Sequence, residues 1–163
     1  MPPTISAHTA APYSRLPGTN VRLFEAKAQQ GLTFADIGKA LNRDEVWVAA
    51  AFYAQAKFSD EDLAKLSKLL KINQEVLSSE IGGHWWPDRG AVTEFPPKDP
   101  VIYRLYEGIM VYGQPIKALI HEKFGDGIMS MINCKVHVEK IADPAGDRVL
   151  LTFNGKFLPY LQW

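Results

Sequence analysis

A basic and an acidic residue lie three positions apart in the second half of the chain. Arg104 and Glu107 fall within Val101–Tyr112, whose apolar spacing predicts a helix, so both side chains share one helix face. The pair is therefore a candidate for a functional site. The competing interpretation is a surface ion pair contributing about 0–1 kcal/mol, which is the commoner outcome for such spacing.

Ser130 is the third candidate, near the start of a predicted strand over Ile128–Ile141. Its hydroxyl either hydrogen-bonds an anion or, as a buried group, bonds to the backbone. The preceding Gly125-Asp126-Gly127 offers backbone N–H groups that suit an anion, although a plain turn is the commoner use of such a run.

Other chemistries find no support in the sequence. The four histidines are far apart, and the run from His121 to Gly125 lacks the second histidine of a zinc-protease helix. Cys134 lies among apolar neighbours in mid-strand, which is typical of a small core residue rather than a nucleophile. There is no P-loop, dinucleotide fingerprint or serine-hydrolase elbow, so the sequence predicts neither a metal nor a bound cofactor.

The first half of the chain must form a small helical bundle. Capping residues and apolar repeats predict five short helices over residues 21–81, preceded by a flexible lead-in over residues 1–20. Thr33 caps the second helix, with Asp36 as an imperfect capping box, and Ser59 caps the fourth. The third, Glu45–Gln55, stands where a repressor of the helix-turn-helix type has its recognition helix.

The second half predicts a helical segment followed by a β-hairpin. Glycine and proline interrupt residues 82–98, which we interpret as a linker to a unit at residues 99–163. Asp99-Pro100 begins a helix expected to stop at Gly113, and Gln114-Pro115 begins another, ending at Phe124. A loop at residues 143–146 joins the first strand to Arg148–Phe153, and Asn154-Gly155 is expected to turn the chain again before Lys156–Tyr160. The predicted class is therefore α+β.

The hairpin carries more apolar surface than one chain can cover. Apolar residues alternate along the first strand, and Val149–Leu151 continue an apolar run in the second. An isolated hairpin is marginally stable, and its free edge invites pairing with another chain. We therefore expect it to complete a sheet with a second subunit.

Charge and composition narrow the function classes. Lys plus Arg and Asp plus Glu number 18 each, so the positive excess needed for phosphate-backbone binding is missing. Helix Glu45–Gln55 is acidic at its start and then almost wholly apolar, which disfavours base reading. An oligomeric repressor-like regulator that binds DNA or protein nevertheless remains the alternative to an enzyme. One cysteine and no long apolar segment favour the cytoplasm.

Several runs in the second half closely resemble the cyanase family, also called cyanate hydratase or cyanate lyase. The similarity extends from the first helix to the C-terminus and is densest over residues 99–141. The runs are Asp99–Glu107, Val111–Gly113, Lys117–Ile128, Ser130, Ile132-Asn133 and Gly155–Pro159.

The resemblance implies a repressor-like domain that has lost DNA binding, joined to a small catalytic and dimerisation domain. It implies a homodecamer, a pentamer of dimers, with active sites between subunits and no cofactor. The implied reaction is bicarbonate-dependent: cyanate and bicarbonate give carbamate and carbon dioxide, and carbamate decomposes to ammonia and carbon dioxide. The family's catalytic residues fall on Arg104, Glu107 and Ser130. Cys134 departs from the apolar or aromatic residue expected there, and a sister enzyme using another small anion is a further alternative.

Overall fold

The computed structural model describes residues 13–163, which divide into two units. The first ends at Thr93 and contains five α-helices among its described residues; the second, Glu94–Trp163, contains one long helix and a two-stranded antiparallel sheet. The α+β class predicted from the sequence is confirmed. The boundary between the units falls inside the segment 82–98, which contains turns and bends but no helix or strand.

Polar caps begin most helices of the first unit. After a 3-10 turn at Tyr13–Arg15, the helices are α1 Gly18–Gln29, α2 Phe34–Leu41, α3 Glu45–Phe52, α4 Asp60–Leu70 and α5 Gln74–Ile81. Thr33 with Asp36, and Ser59 with Asp62, form capping boxes at α2 and α4, in which each N-cap hydroxyl accepts from the third residue's backbone N–H. The caps predicted at Thr33 and Ser59 are confirmed.

The start of α1 differs from the prediction of a flexible lead-in. Residues 1–12 of that lead-in lie outside the described residues, but the helix already begins at Gly18, and Thr19 and Asn20 are buried. The Asn20 side-chain amide donates to the carbonyl oxygens of Ala51 and Phe52 at 3.0 and 3.1 Å. Asn20 therefore links the first turn of α1 to the end of α3.

Helix α3 faces the interior of the first unit. Val48, Ala51 and Phe52 are buried in its core, and Trp47 packs against that core. The helix ends at Phe52 rather than the predicted Gln55, because Ala54 takes a left-handed conformation with φ of 59°. The other four helices contribute further large buried side chains, and Phe58 adds one from the loop before α4: Leu23, Ile37, Leu41, Leu63, Leu66, Leu70, Leu77 and Ile81 are the helical ones.

A single 25-residue helix, α6, spans Pro100–Phe124 and corrects the prediction of two helices separated at Gly113. Pro115 lies inside the helix, where it removes one N–H donor but does not end the helix. Many helices end at a residue with positive φ, which closes the last turn. Gly125 supplies it, with φ of 88° and its N–H donating to the His121 carbonyl, whereas Gly113 is not among the positive-φ residues.

The hairpin of β1 Gly127–Ile141 and β2 Arg148–Pro159 corrects a second expectation. Asn154-Gly155 does not turn the chain; both residues lie within β2, paired with Lys135 and Cys134. Instead β1 is irregular between Met129 and Cys134, where four residues lie opposite the single residue Lys156. The extra residues form a bulge, Ser130–Asn133, which absorbs the change in register.

Candidate active site

The start of α6 positions two of the three candidate residues. The Asp99 carboxylate accepts from the backbone N–H groups of Val101 and Ile102 at 2.9 and 3.1 Å, and Pro100 occupies the first helical position. A cap of this kind is worth about 1 kcal/mol, and the proline's fixed φ suits the first turn. Arg104 and Glu107 therefore project from the second turn of a helix whose start is fixed.

Arg104 and Glu107 form the ion pair that their spacing predicted. Arg104 Nη1 donates to Glu107 Oε2 at 2.7 Å. The guanidinium also lies 5.8 Å from the centroid of the Tyr103 ring, which in turn is near Tyr106. Within the single chain the Arg104 side chain is 72% exposed and that of Glu107 47% exposed. The pair leaves most of the guanidinium surface free to contact another group.

Ser130 is the buried member of the set, with 5% of its surface exposed. Its Oγ accepts from the backbone N–H groups of Ile132 and Asn133 at 3.1 and 2.9 Å. The backbone hydrogen bonding that the sequence offered as the non-catalytic interpretation of Ser130 is therefore present. A hydroxyl has two accepting positions and one donated proton, so both accepting positions are used and the proton is left to donate.

The hydrogen bonds and ion pairs of the described chain join Arg104 to Glu107 but join neither of them to Ser130. One chain thus presents the candidate residues in two parts: a guanidinium paired with a carboxylate on α6, and a hydroxyl in the bulge of β1.

The Gly125–Gly127 run has a structural use. The Gly125 N–H is taken by the His121 carbonyl at 2.9 Å, and the Asp126 carbonyl accepts from the Tyr160 N–H at 3.0 Å. Gly127 is paired with Pro159 at the start of β1. This run ends α6 and begins the hairpin, so the plain-turn interpretation fits these contacts.

Among residues 13–163, no group of three or more His, Cys, Asp or Glu side chains is placed to hold a metal ion. No helix in this range is long and apolar enough to cross a membrane.

Gly155 lies close to the backbone of Ser130, a contact that is not predicted from the sequence. The dipeptide Asn154-Gly155 favours a turn, whereas Gly155 lies in β2 against the bulge. A glycine within a strand is also a signal of a bulge or of close backbone approach, and that signal was available in the sequence.

Comparison with known proteins decides the family. Residues 94–162 match the model of the cyanate lyase C-terminal domain. A protein of Laccaria bicolor named cyanate hydratase is 58% identical over 161 residues, covering 99% of this chain and 96% of that protein. The chain belongs to the cyanate hydratase family. A Coprinopsis cinerea protein with the same name is 62% identical over 141 residues, which cover 86% of this chain and 93% of that one.

A solved structure agrees with this family. The crystal structure of cyanase from T. urticae superposes with a TM-score of 0.77 at 34% identity, covering 87% of this chain and 97% of that chain. The family resemblance found in the sequence is confirmed, and with it the class of enzyme, a lyase. Arg104, Glu107 and Ser130 stay predictions at the level of individual residues.

Proposed function

We propose that this protein decomposes cyanate with bicarbonate. A bicarbonate oxygen attacks the cyanate carbon, the nitrogen gains two protons, one from bicarbonate itself and one from the surroundings, and the adduct breaks into carbamate and carbon dioxide. Carbamate then takes up a further proton and yields ammonia and a second carbon dioxide. The observation that carries the proposal is the 58% identity to a cyanate hydratase over nearly the full length of both chains.

Arg104 addresses the main physical obstacle, which is that both substrates are anions. Bringing two negative charges together in a site shielded from water costs Coulomb energy, which a fixed cation offsets. A guanidinium keeps its charge at any physiological pH and presents paired donors to a planar oxyanion. Because bicarbonate itself supplies the attacking oxygen, the enzyme needs no nucleophile, and positioning carries the acceleration.

Glu107 and Ser130 orient the groups that contact the anions. The 2.7 Å contact from Arg104 to Glu107 supports a role for the carboxylate in holding the guanidinium in one orientation. Both lone pairs of the Ser130 hydroxyl accept from backbone N–H groups, which leaves its proton to donate and supports a role as donor to one anion. The chemistry needs no redox change and no metal-bound nucleophile, and we propose that it proceeds without a metal or cofactor.

We propose that the active site is completed by self-association, in a decamer built as five dimers. Support comes from the second unit, where no residue of α6 is buried within one chain. The exposed large apolar side chains of α6 include Val101, Ile109 and Met110, and those of the hairpin include Ile132 and Val149. Apolar surface of this extent marks a protein interface. A cytoplasmic location fits the single cysteine.

The direct test measures ammonia released from cyanate by the purified protein, with and without added bicarbonate. We expect ammonia release that depends on bicarbonate. An Arg104→Ala preparation controls for contaminating enzyme and for spontaneous hydrolysis. Absence of ammonia above that control would reject the proposal, and release that is independent of bicarbonate would reject the co-substrate.

A further inference from the structure

The bulge in β1 holds Ser130 through the backbone of its own segment. Ser130–Asn133 lie between two regular pairs, Met129 with Phe157 and Cys134 with Gly155. Residues of a bulge lose their partners on the opposite strand, so their N–H groups need other acceptors. The Ser130 hydroxyl oxygen accepts from two of them, Ile132 and Asn133. The bulge therefore fixes both the position of this oxygen and the use of its lone pairs.

Gly155 lies directly against this bulge from the opposite strand. A Cβ on residue 155 would be 2.5 Å from the Ser130 carbonyl oxygen and would also collide with Cγ of Met129. Real Cβ atoms do not approach heavy atoms closer than 3.0 Å. A side chain at 155 would therefore displace the Ser130 backbone by about half an ångström, because a carbonyl oxygen in a strand cannot rotate aside like a side-chain tip.

We propose that Gly155 is a positioning residue for the reaction. Its lack of a side chain lets the bulge sit where the Ser130 hydroxyl meets the substrate anion as a donor. Gly155 touches no reacting atom in this proposal; it acts through the Ser130 backbone. The inference rests on the proposed function, because it assumes that Ser130 contacts an anion.

The first experiment compares Gly155→Ala with the wild-type protein. Misplacing a catalytic group by about 1 Å can cost about 100-fold in rate. We expect the smaller shift here to lower kcat about ten-fold or more while the oligomeric state is retained. Gly18→Ala is the matched control, since a Cβ at that glycine meets nothing within 4 Å, and it should keep full activity. Unchanged kcat in Gly155→Ala would overturn the proposal.

A double-mutant cycle asks whether Gly155 acts through Ser130. The readout is the Kd for oxalate, a small dianion that resembles the charge of the adduct, measured by calorimetry so that no residual turnover is required. We expect Gly155→Ala to weaken binding about ten-fold in the wild-type background and to have no further effect in Ser130→Ala. Additive losses would show that Gly155 acts independently of the hydroxyl, which overturns the inference.

A third variant separates the two contacts of the added methyl group. Gly155→Ala combined with Met129→Ala removes the side-chain collision and leaves the one with the Ser130 carbonyl. Activity that stays low in this double variant supports positioning through Ser130. Recovery to the level of Met129→Ala alone would assign the damage to Met129 and overturn the proposal.

Hydrogen exchange provides a measurement that does not need a folded Gly155 variant. In Ser130→Ala, the amides of Ile132 and Asn133 lose their acceptor, so peptides spanning the bulge should exchange faster than in the wild type. Equal exchange rates would show that the Ser130 hydroxyl does not accept from these amides, which would overturn the inference. A wild-type protein that releases no ammonia from cyanate would instead reject the proposed function, so the two failures are distinguishable.

Discussion

The small stabilising energy of the Arg104–Glu107 ion pair does not indicate whether the pair has a functional role. A solvent-exposed pair such as Arg104–Glu107 contributes about 0–1 kcal/mol to stability, because water screens both charges. Arg22–Glu80 in the first unit is a comparable pair, at 3.2 Å with similarly exposed side chains. What distinguishes Arg104 is its place in the segment that matches the cyanate lyase C-terminal domain, on a helix whose large apolar side chains are exposed in the single chain.

Replacing Arg104 by lysine tests whether paired donors are needed. Arg104→Lys keeps the charge but removes the planar fork, so we expect turnover to fall about 100-fold, as for the loss of one preorganised donor. Size-exclusion chromatography should show an unchanged oligomer. Arg22→Lys is the matched control and should retain normal turnover. Near-normal activity in Arg104→Lys would rule out the bidentate role.

Replacing Ser130 by alanine separates its two interpretations. If the hydroxyl donates to an anion, Ser130→Ala should lower kcat/KM by about 100-fold or more. The same change leaves the Ile132 and Asn133 amides without an acceptor, so the melting temperature should also fall by a few degrees. Steady-state assays and thermal melts on one preparation measure both effects. A lower melting temperature with unchanged kcat/KM would leave Ser130 a purely structural residue.

At the scale of the elements, the sequence predicts where helices start better than where they end. The starts at Thr33, Ser59 and Asp99 follow from side chains that satisfy N–H groups within three residues, which is local chemistry. Helix ends depend on the backbone conformation of the residues that follow the last turn. Gly113 and Gly125 are the same residue type, but of the two only Gly125 takes the positive φ that closes α6.

The hairpin shows why the candidate site was only partly predictable. Ser130 and the strand that carries it follow from the sequence and its family resemblance. The bulge does not, because it depends on which residues of β1 face which residues of β2, a relation between positions some 25 residues apart. Asn154-Gly155 gave the local signal of a turn, and long-range pairing in β2 overrode it.

Helix α4 provides a prediction about pH at the scale of one element. Asp62 is buried, and burial raises the pKa of its carboxyl, but hydrogen bonds from Arg43 and from the Ser59 N–H and hydroxyl more than offset this and lower the pKa below its usual value. The Arg43 contacts are 3.0 and 3.3 Å long. The ionised form is therefore favoured in the folded protein over the unfolded one.

The sign of the pH effect follows from that shift. A carboxyl with a lowered folded pKa contributes stability above its unfolded pKa, near 4, and loses it as pH falls through the folded pKa. We expect the free energy of unfolding to drop below about pH 4, and Asp62→Asn to flatten that drop. At pH 7, Asp62→Ala should cost about 2–4 kcal/mol, because a cap and a buried ion-pair partner are both lost.

Urea unfolding at pH values from 3 to 7 checks this prediction. Asp60→Asn is the control: Asp60 lies in the same first turn but is exposed, so it should change stability by less than about 1 kcal/mol. A wild-type acid profile retained in Asp62→Asn would show that other carboxyls cause the loss.

At the scale of the whole molecule, the two units differ in how they reach stability. The first unit buries a contiguous cluster of aliphatic and aromatic side chains from all five helices. In the second, α6 contributes no buried residue, and the hairpin is exposed along most of its length. A two-stranded sheet and one helix bury too little apolar surface to be stable alone. This supports the proposal that the second unit gains its core from other copies of the chain.

A charged substitution at Val149 tests whether the hairpin is covered in an oligomer. In one chain its side chain is 80% exposed, so Val149→Asp would change the stability of a monomer by no more than about 0.5 kcal/mol. In an oligomer that covers the hairpin, the same change buries an unpaired charge at a cost of several kcal/mol. We expect light scattering coupled to size-exclusion chromatography to show an assembly of about ten chains for the wild type and smaller species for Val149→Asp, with cyanate turnover lost in the smaller species. Because only association makes stability depend on protein concentration, the wild-type melting temperature should rise with concentration over the micromolar range. A wild-type monomer at micromolar concentration with full activity would contradict both the shared core and a site completed between subunits.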